Sequence, residues 1–399
     1  MVNLKKIPEG FKETEVGIIP NDWRVLAIND VSEVRSGKRL PLGKSLTDKE
    51  TDHFYIRVAD MSMGSVSLND IKYLPNDVYP SIKNYCIFND DIFISVAGTL
   101  GLVGKIPPIL NGANLTENAD RLTNISCVRD YLLYVLMSWL IQNKIEAEKT
   151  LGAQPKLALA RIRKFQIPLP PTKAEQTAIA TALNDVDSLI TQLEKLIAKK
   201  RAVKQGAMQE LLKPKRSWEG INLEKMTDCL DNLRLPLNET QRLAMQGDYP
   251  YCGANGILDY LNDYKINDDV ILIAEDGGYF DEYATRPIAY KMKGKFWVNN
   301  HAHILKAKAQ FDQNFIYYSL VHKNILDLLA SGTRAKLNKS QMYKIKIHLP
   351  KEKEEQTRIA QILSDMDAEI EALEKKLDKY RMIKQGMMQV LLTGKVRLI

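Results

Sequence analysis

The chain has 399 residues, 45% of them hydrophobic and 26% charged, with 56 Lys+Arg against 49 Asp+Glu and a formal charge of +7. That length suffices for two or three domains with hydrophobic cores, and the composition excludes a disordered, collagenous or membrane-embedded chain. The modest cationic excess permits a nucleic-acid surface without requiring one.

The opening Met1-Val2-Asn3-Leu4-Lys5-Lys6-Ile7-Pro8 has no apolar core of signal-peptide length, so a cytoplasmic protein is expected. The longest apolar-aromatic stretch, from Tyr131 to Ile141, is too short to span a bilayer and is interrupted by Ser138. Cys86, Cys127, Cys229 and Cys252 form no CxxC pair, the pattern of reduced thiols rather than of a disulfide framework or zinc site.

In chain order, Asp22-Trp23-Arg24-Val25 opens a first unit and Ser217-Trp218-Glu219-Gly220 a second. Within them Asp90-Asp91-Ile92-Phe93-Ile94-Ser95 parallels Asp268-Asp269-Val270-Ile271-Leu272-Ile273, each a buried-strand run after a turn. Ala119-Asp120-Arg121-Leu122 parallels Ala302-His303-Ile304-Leu305, and the aromatic stretches Tyr131–Ile141 and Phe315–Val321 follow.

The last part of each unit is a duplication. Gly152 to Lys215 aligns without a gap on Gly332 to Lys395, with roughly 30 of about 64 positions identical. Lys156-Leu157 matches Lys336-Leu337, Glu175-Gln176-Thr177 matches Glu355-Gln356-Thr357, and Lys204-Gln205-Gly206 matches Lys384-Gln385-Gly386. Each copy predicts one long helix. Ile179, Leu183, Val186, Ile190, Leu193 and Ile197 alternate spacings of four and three, as do Ile359, Leu363, Met366, Ile370, Leu373, Leu377 and Tyr380, the seam of a coiled coil. Pro168, Pro170 and Pro171 are expected to stop the preceding strand, and Thr172-x-x-Glu175 reads as a capping box, which the second copy lacks. About 40 helical residues span about 60 Å, so each rod needs a partner for its apolar stripe, and the other copy is the natural one. Lys200 and Lys204 stand where the first seam should continue, which predicts splaying there.

These strings, in this order around a duplicated rod, resemble the DNA-specificity subunit of Type I restriction-modification systems. The resemblance covers essentially the whole chain. It rests on Gly10-Phe11-Lys12-Glu13-Thr14-Glu15-Val16-Gly17-Ile18-Ile19-Pro20-x-x-Trp23, Tyr55-Ile56-Arg57-Val58-Ala59-Asp60-Met61 and Asn114-Leu115-Thr116-Glu117-Asn118-Ala119. Gly253-Ala254-Asn255-Gly256-Ile257, Ala274-Glu275-Asp276-Gly277-Gly278, Phe296-Trp297-Val298-Asn299-Asn300-His301-Ala302-His303 and the paired Glu-Gln-Thr helices complete it. It implies an α+β fold: two mixed α/β target-recognition domains separated by two long antiparallel coiled-coil helices in a pseudo-twofold, nearly circular arrangement. The expected boundaries are residues 1–150 and 214–331 for the recognition domains, with 151–213 and 332–399 as conserved helical regions. Each recognition domain would read one half of a split, asymmetric site in double-stranded DNA. The rods would set the gap and carry two adenine-methyltransferase subunits, joined by ATP-dependent translocase subunits. S-adenosylmethionine, ATP and magnesium would belong to those partners.

Reading duplex DNA needs cations for phosphates and forked polar groups for base edges. Arg57, Lys105 and Arg121 in the first head, and Arg286, Lys295, Arg334 and Lys336 in the second, are candidates for phosphates. Asn111, Asn114, Thr116 and Asn118, and Asn255, Asn299, Asn300 and His301, suit base edges; ordinary turns are the plain alternative for such Asn-Gly clusters. Gly152-Ala153-Gln154-Pro155-Lys156 and Gly332-Thr333-Arg334-Ala335-Lys336 recur in both units, which points to a shared role in phosphate contact or helix-start geometry.

His301-x-His303 is a candidate metal pair without completing ligands nearby, so packing or DNA contact is the better reading. Gly98-x-x-Gly101-x-x-Gly104-Lys105 has the wrong spacing for a phosphate loop, and Ile106 replaces the magnesium-binding hydroxyl; a strand-turn is expected. The chain carries no Asn-Pro-Pro-aromatic or Asp-Pro-Pro-aromatic string for an extruded adenine and no glycine-rich cofactor fingerprint. A non-catalytic recognition subunit is therefore expected. The rivals are a coiled-coil protein adaptor, which would show no salt-dependent DNA affinity, and a self-sufficient modification enzyme, which would bind the cofactor itself.

Overall fold

The computed structural model describes residues 7–148, 156–330 and 335–398. They form two compact units, Met1–Gln192 with Leu377–Ile399, and Leu193–Lys376.

The first unit is built on an antiparallel sheet whose neighbouring strands are Val103–Gly104, Ile92–Ser95, Ala119–Thr123 and Glu33–Ser36. A second sheet orders Lys72–Tyr73, Phe54–Ile56, Ala113–Leu115 and Cys86–Ile87. The second unit has one six-stranded sheet in the order Thr227–Cys229, Ala302–Ala307, Ile266–Ala274, Ala289–Val298, Gln246–Gly253 and Gly256–Leu261. The common frame is visible in the pairing: Ser95 lies opposite Ala119 as Ala274 lies opposite Ala302. This makes Ser95 the counterpart of Ala274, one residue further along than the sequence parallel with Ile273. A short apolar run carries no internal mark of its register, and only the partner strand sets it.

Each unit closes with a two-stranded ribbon that joins its start to its helix. Gln166–Leu169 pairs with Arg24–Ala27, and Lys346–Leu349 pairs with Glu219–Asn222 in the same register. Pro168 is thus inside a strand rather than ending it. A two-stranded ribbon leaves an edge where a missing N–H does no harm, and the Pro168 carbonyl accepts from the buried Tyr131 hydroxyl at 2.8 Å. Trp23 and Trp218 are buried at the heads of these ribbons.

The long helices are Lys173–Leu211 and Lys353–Leu391. Thr172 accepts from the Glu175 N–H at 3.2 Å, but the Glu175 carboxylate does not reach back to close a capping box; it binds Arg397 instead. The second helix starts at the corresponding residue without a Thr. The cause is shared by both copies. Gln176 donates to the Pro170 carbonyl and accepts from the Val128 N–H; Gln356 donates to the Pro350 carbonyl and accepts from the Asp312 N–H. These buried amides lock each helix start to its own head, and Ile179, Ala180 and Leu183, like Ile359, Ala360 and Leu363, join the head cores.

Within the second unit Lys200 pairs with Glu369 at 2.7 Å and Lys204 with Asp367. Rising numbers on one helix meet falling numbers on the other, so the two run antiparallel. The seam does not splay at these lysines. Carboxylates on the facing helix take up their charge, while Ile197 and Ile370 stay buried. In the first unit Lys384 meets Asp187 at 2.6 Å.

Segments from the two ends of the sequence meet inside the first unit. Leu391 and Leu392 share its core with Val16, Ile19 and Trp23, and Arg397 pairs with Asp22 at 3.1 Å.

Candidate nucleic-acid interface

In each unit the same loops converge at one end of the common sheet. In the first, Gly37 and Lys38 donate to the carbonyls of Ala119 and Leu115, and Val96 and Ala97 donate to the Asn118 carbonyl. A Cβ on Gly37 would lie 2.1 Å from the Thr116 carbonyl oxygen, so only glycine lets these loops touch. Lys156 bridges to Ala97. Thr116, Asn118 and Lys156 are therefore brought together. Lys38 and Arg39, which sequence reasoning missed, stand exposed beside them, with Arg39 paired to Glu117 at 2.7 Å.

The other candidates of the first head lie elsewhere. Asn114 is buried and donates to the Ile82 carbonyl at 2.7 Å. Arg121 is buried 3.8 Å from Asp91, and burial lowers its guanidinium below the usual arginine range. Arg57 is held by Asp60 and Asp70 at 2.6 and 3.0 Å. Lys105 pairs with Asp130 at 3.0 Å, and the Asn111 side chain accepts from the Asn89 N–H. Gly98 and Gly101 take left-handed φ of 76° and 77° in the turn before Val103–Gly104, the expected strand-turn.

In the second unit Lys336 bridges to Asp276 and pairs with Glu275 at 2.9 Å. Asn255 donates to the Gly277 carbonyl, Asn299 accepts from the His301 N–H, and the His301 ring pairs with Asp276 at 2.5 Å. Asn255, Asn299, Asn300, His301 and Lys336 thus share one loop cluster. A cleft of about 500 Å³ opens beside it, where Asn299, Asn300 and His301 face Asn238, Gln241 and Arg242. The last three were missed, although Asn238-x-x-Gln241 is a capping box legible in sequence; Asn238 accepts from the Gln241 N–H at 2.9 Å. Arg286 lies outside the cluster, stacked on Tyr279 and paired with Glu282. Lys295 sits between Tyr249 and Tyr264. Arg334 falls outside the described residues.

His301 and His303 do not converge on one point. His303 is buried, its Nδ1 on Asp231 at 2.6 Å and its Nε2 on the Leu337 carbonyl at 2.8 Å. Burial disfavours its charge, but hydrogen bonds to Asp231, Cys229 and Leu337 prevail and raise its pKa to about 9. Cys229, Asp231 and His303 do have potential ligand atoms within 4.8 Å of one another. Both ring nitrogens face acceptors, however, an arrangement that favours the imidazolium, and that form has no lone pair for a metal. His303 replaces the Ser36–Asp120 pair, 2.8 Å long, of the first unit, in which only Asp120 is buried.

Two α/β units with the same loop ends, each locked to a long helix, define a tandem recognition protein on helical supports. The family described as "Type I restriction modification DNA specificity domain" matches residues 20–205 and again 216–379. The chain belongs to this family and is a Type I restriction-modification specificity subunit with two copies of the domain.

It is 26% identical to the putative type I restriction enzyme MjaX specificity subunit of Methanocaldococcus jannaschii, over 98% of this chain and 97% of that one. It is 24% identical to the MjaVIII specificity subunit of the same organism, over 98% and 96%. A shorter match, 36% identical, links 37% of this chain to 36% of a putative specificity subunit, S.HindORF215P, of Haemophilus influenzae. The fold agrees with the crystal structure of the S subunit of a Type I system from M. genitalium, at TM-score 0.64 and 17% identity over 92% of this chain and 96% of that one. Among the described residues no helix is long and apolar enough to cross a membrane.

Proposed function

We propose that the chain is the non-catalytic, cytoplasmic scaffold of its complex, each unit reading one half of a bipartite, asymmetric DNA site. The helical rods set the spacer and dock two adenine-methyltransferase subunits, with ATP-dependent translocase subunits joining them. S-adenosylmethionine, ATP and magnesium are bound by those partners. The observation that carries this reading is the repeated loop cluster, built on one backbone frame with different side chains. The first presents Lys38, Arg39, Asn118 and Lys156; the second presents Asn255, Asn300, His301 and Lys336 beside Gln241 and Arg242. Different donors and acceptors on one frame are what two different half-sites require.

The test is methylation sequencing of a host carrying the chain with its methyltransferase, before and after exchange of residues 20–150 for another family head. One half of the methylated motif should change and the other should persist; a change in both halves refutes independent reading. In the same complex Arg39→Ala and Lys156→Ala should each reduce the slope of log affinity against log salt by about 1. An unchanged slope would remove these loops from the interface.

A further inference from the structure

The two units differ at one equivalent surface. In the first, the hairpin of Phe11–Thr14 and Gly17–Pro20 buries Val16 and Ile19 in a core with Ile167, Leu391 and Leu392, and Met388 packs against it. The repeat counterparts in the second unit are Ile347, Leu211, Leu212 and Met208. There the chain runs from the long helix through Trp218 directly into Glu219–Asn222, with no hairpin between. The exposure follows: Leu391 and Leu392 are 3% and 0% exposed, whereas Leu211 and Leu212 are only half-buried. A groove of about 480 Å³ opens where the hairpin's counterpart would sit, lined by Met208, Leu212 and Ile347 with His322, Lys323 and His348.

Charge completes the comparison. In the first unit burial lowers the Lys144 ammonium, and Glu15 at the hairpin turn opposes that shift. In the second, Lys323 is also lowered by burial, and among the described residues no carboxylate pairs with it. The groove thus offers an apolar floor and a half-buried cation lacking its counter-charge.

We propose that this groove of the second unit docks a segment of another polypeptide that repeats the chemistry of residues 13–19: two aliphatic side chains three positions apart, preceded by a carboxylate. Such a segment would bury the half-exposed leucines, as Val16 and Ile19 bury Leu391 and Leu392 in the first unit, and its carboxylate would offset the charge of Lys323. An aliphatic floor gives a nucleic-acid backbone nothing to bind, so the inference is independent of DNA reading.

The probe is a fluorescein-labelled peptide of residues 9–21, titrated against the full chain by anisotropy. Saturable one-site binding is expected, weakened at least tenfold by Met208→Glu, by Gln209→Trp on the exposed helix face, and by Glu15→Lys in the peptide. Met388→Glu, in the first unit, should leave the affinity unchanged, and melting curves establish that each variant is folded. No saturable binding, or binding lost with Met388→Glu and retained with Met208→Glu, would overturn the proposal. Self-association of the chain that Met208→Glu abolishes would also overturn it, by assigning the groove to a second copy.

Discussion

Lys204 forms an ion pair with Asp367, and 180 positions along the repeat Lys384 forms the same pair with Asp187. In each unit the carboxylate also accepts from a head tyrosine, Tyr318 at 2.6 Å and Tyr134 at 2.8 Å, and the ammonium lies 5.6 Å from that tyrosine's ring. One aspartate therefore joins both helices to the head. Asp367→Ala should cost about 1–2 kcal/mol, because it leaves a part-buried ammonium without its carboxylate and the Tyr318 phenol with only the longer bond to Ser364. Urea denaturation checks this, and the Lys204→Met/Asp367→Leu double variant should recover most of the loss.

Gln176 and Gln356 each satisfy a backbone N–H of the head and a proline carbonyl. Alanine at either position strands both groups in a buried site and should cost about 1–3 kcal/mol. Glutamate keeps the acceptor but loses the donor, so it should fall between wild type and alanine in the same unfolding measurement.

The raised pKa of His303 links stability to pH. Its stabilising contribution is fully present below about 6.5, the unfolded histidine value, and is lost as pH rises through about 9. The loss should be up to about 3 kcal/mol. Urea midpoints at pH 6 and pH 9.5, for wild type and for His303→Gln, isolate it: the difference between the two proteins should shrink at the higher pH.

Gly37→Ala drives a Cβ into the backbone of Thr116. It should destabilise the first unit by about 3 kcal/mol or more, since neither loop can yield without breaking its ladder. Gly206 and Gly386 are helical glycines with open space at the Cβ, and alanine there should add about 0.5–1 kcal/mol each. Thermal melts of the three variants test both signs.

The rods were legible because their apolar spacing of three and four has only one structural meaning, and the duplication repeated it. The heads were harder to read. Ala119 to Leu122 is buried on both faces, so no alternation marks which side chain points where, and Arg121 reads in sequence like any surface cation. Asn114 and Asn118 stand four residues apart in one polar string, yet the first is in the interior and the second in the loop cluster; the strand boundary between them, after Leu115, is set by pairing with Tyr55 and Ile56. The salt bridges across the seam were invisible because Asp367 and Glu369 are distant in sequence from the lysines they neutralise. Arg39 owes its position to Gly37, whose tight approach to Thr116 is a tertiary fact.

The first unit is assembled from both ends of the sequence, whereas the second is one continuous stretch. During synthesis, at about 5–20 residues per second, every residue of the second unit is joined to the chain before Leu391 and Leu392 are added. Until then the floor beneath Val16, Ile19 and Trp23 is missing, and the apolar start of the first long helix waits beside it. The earlier-encoded head therefore cannot complete its core until the last turn of the second rod has been made, although most of its residues are translated first.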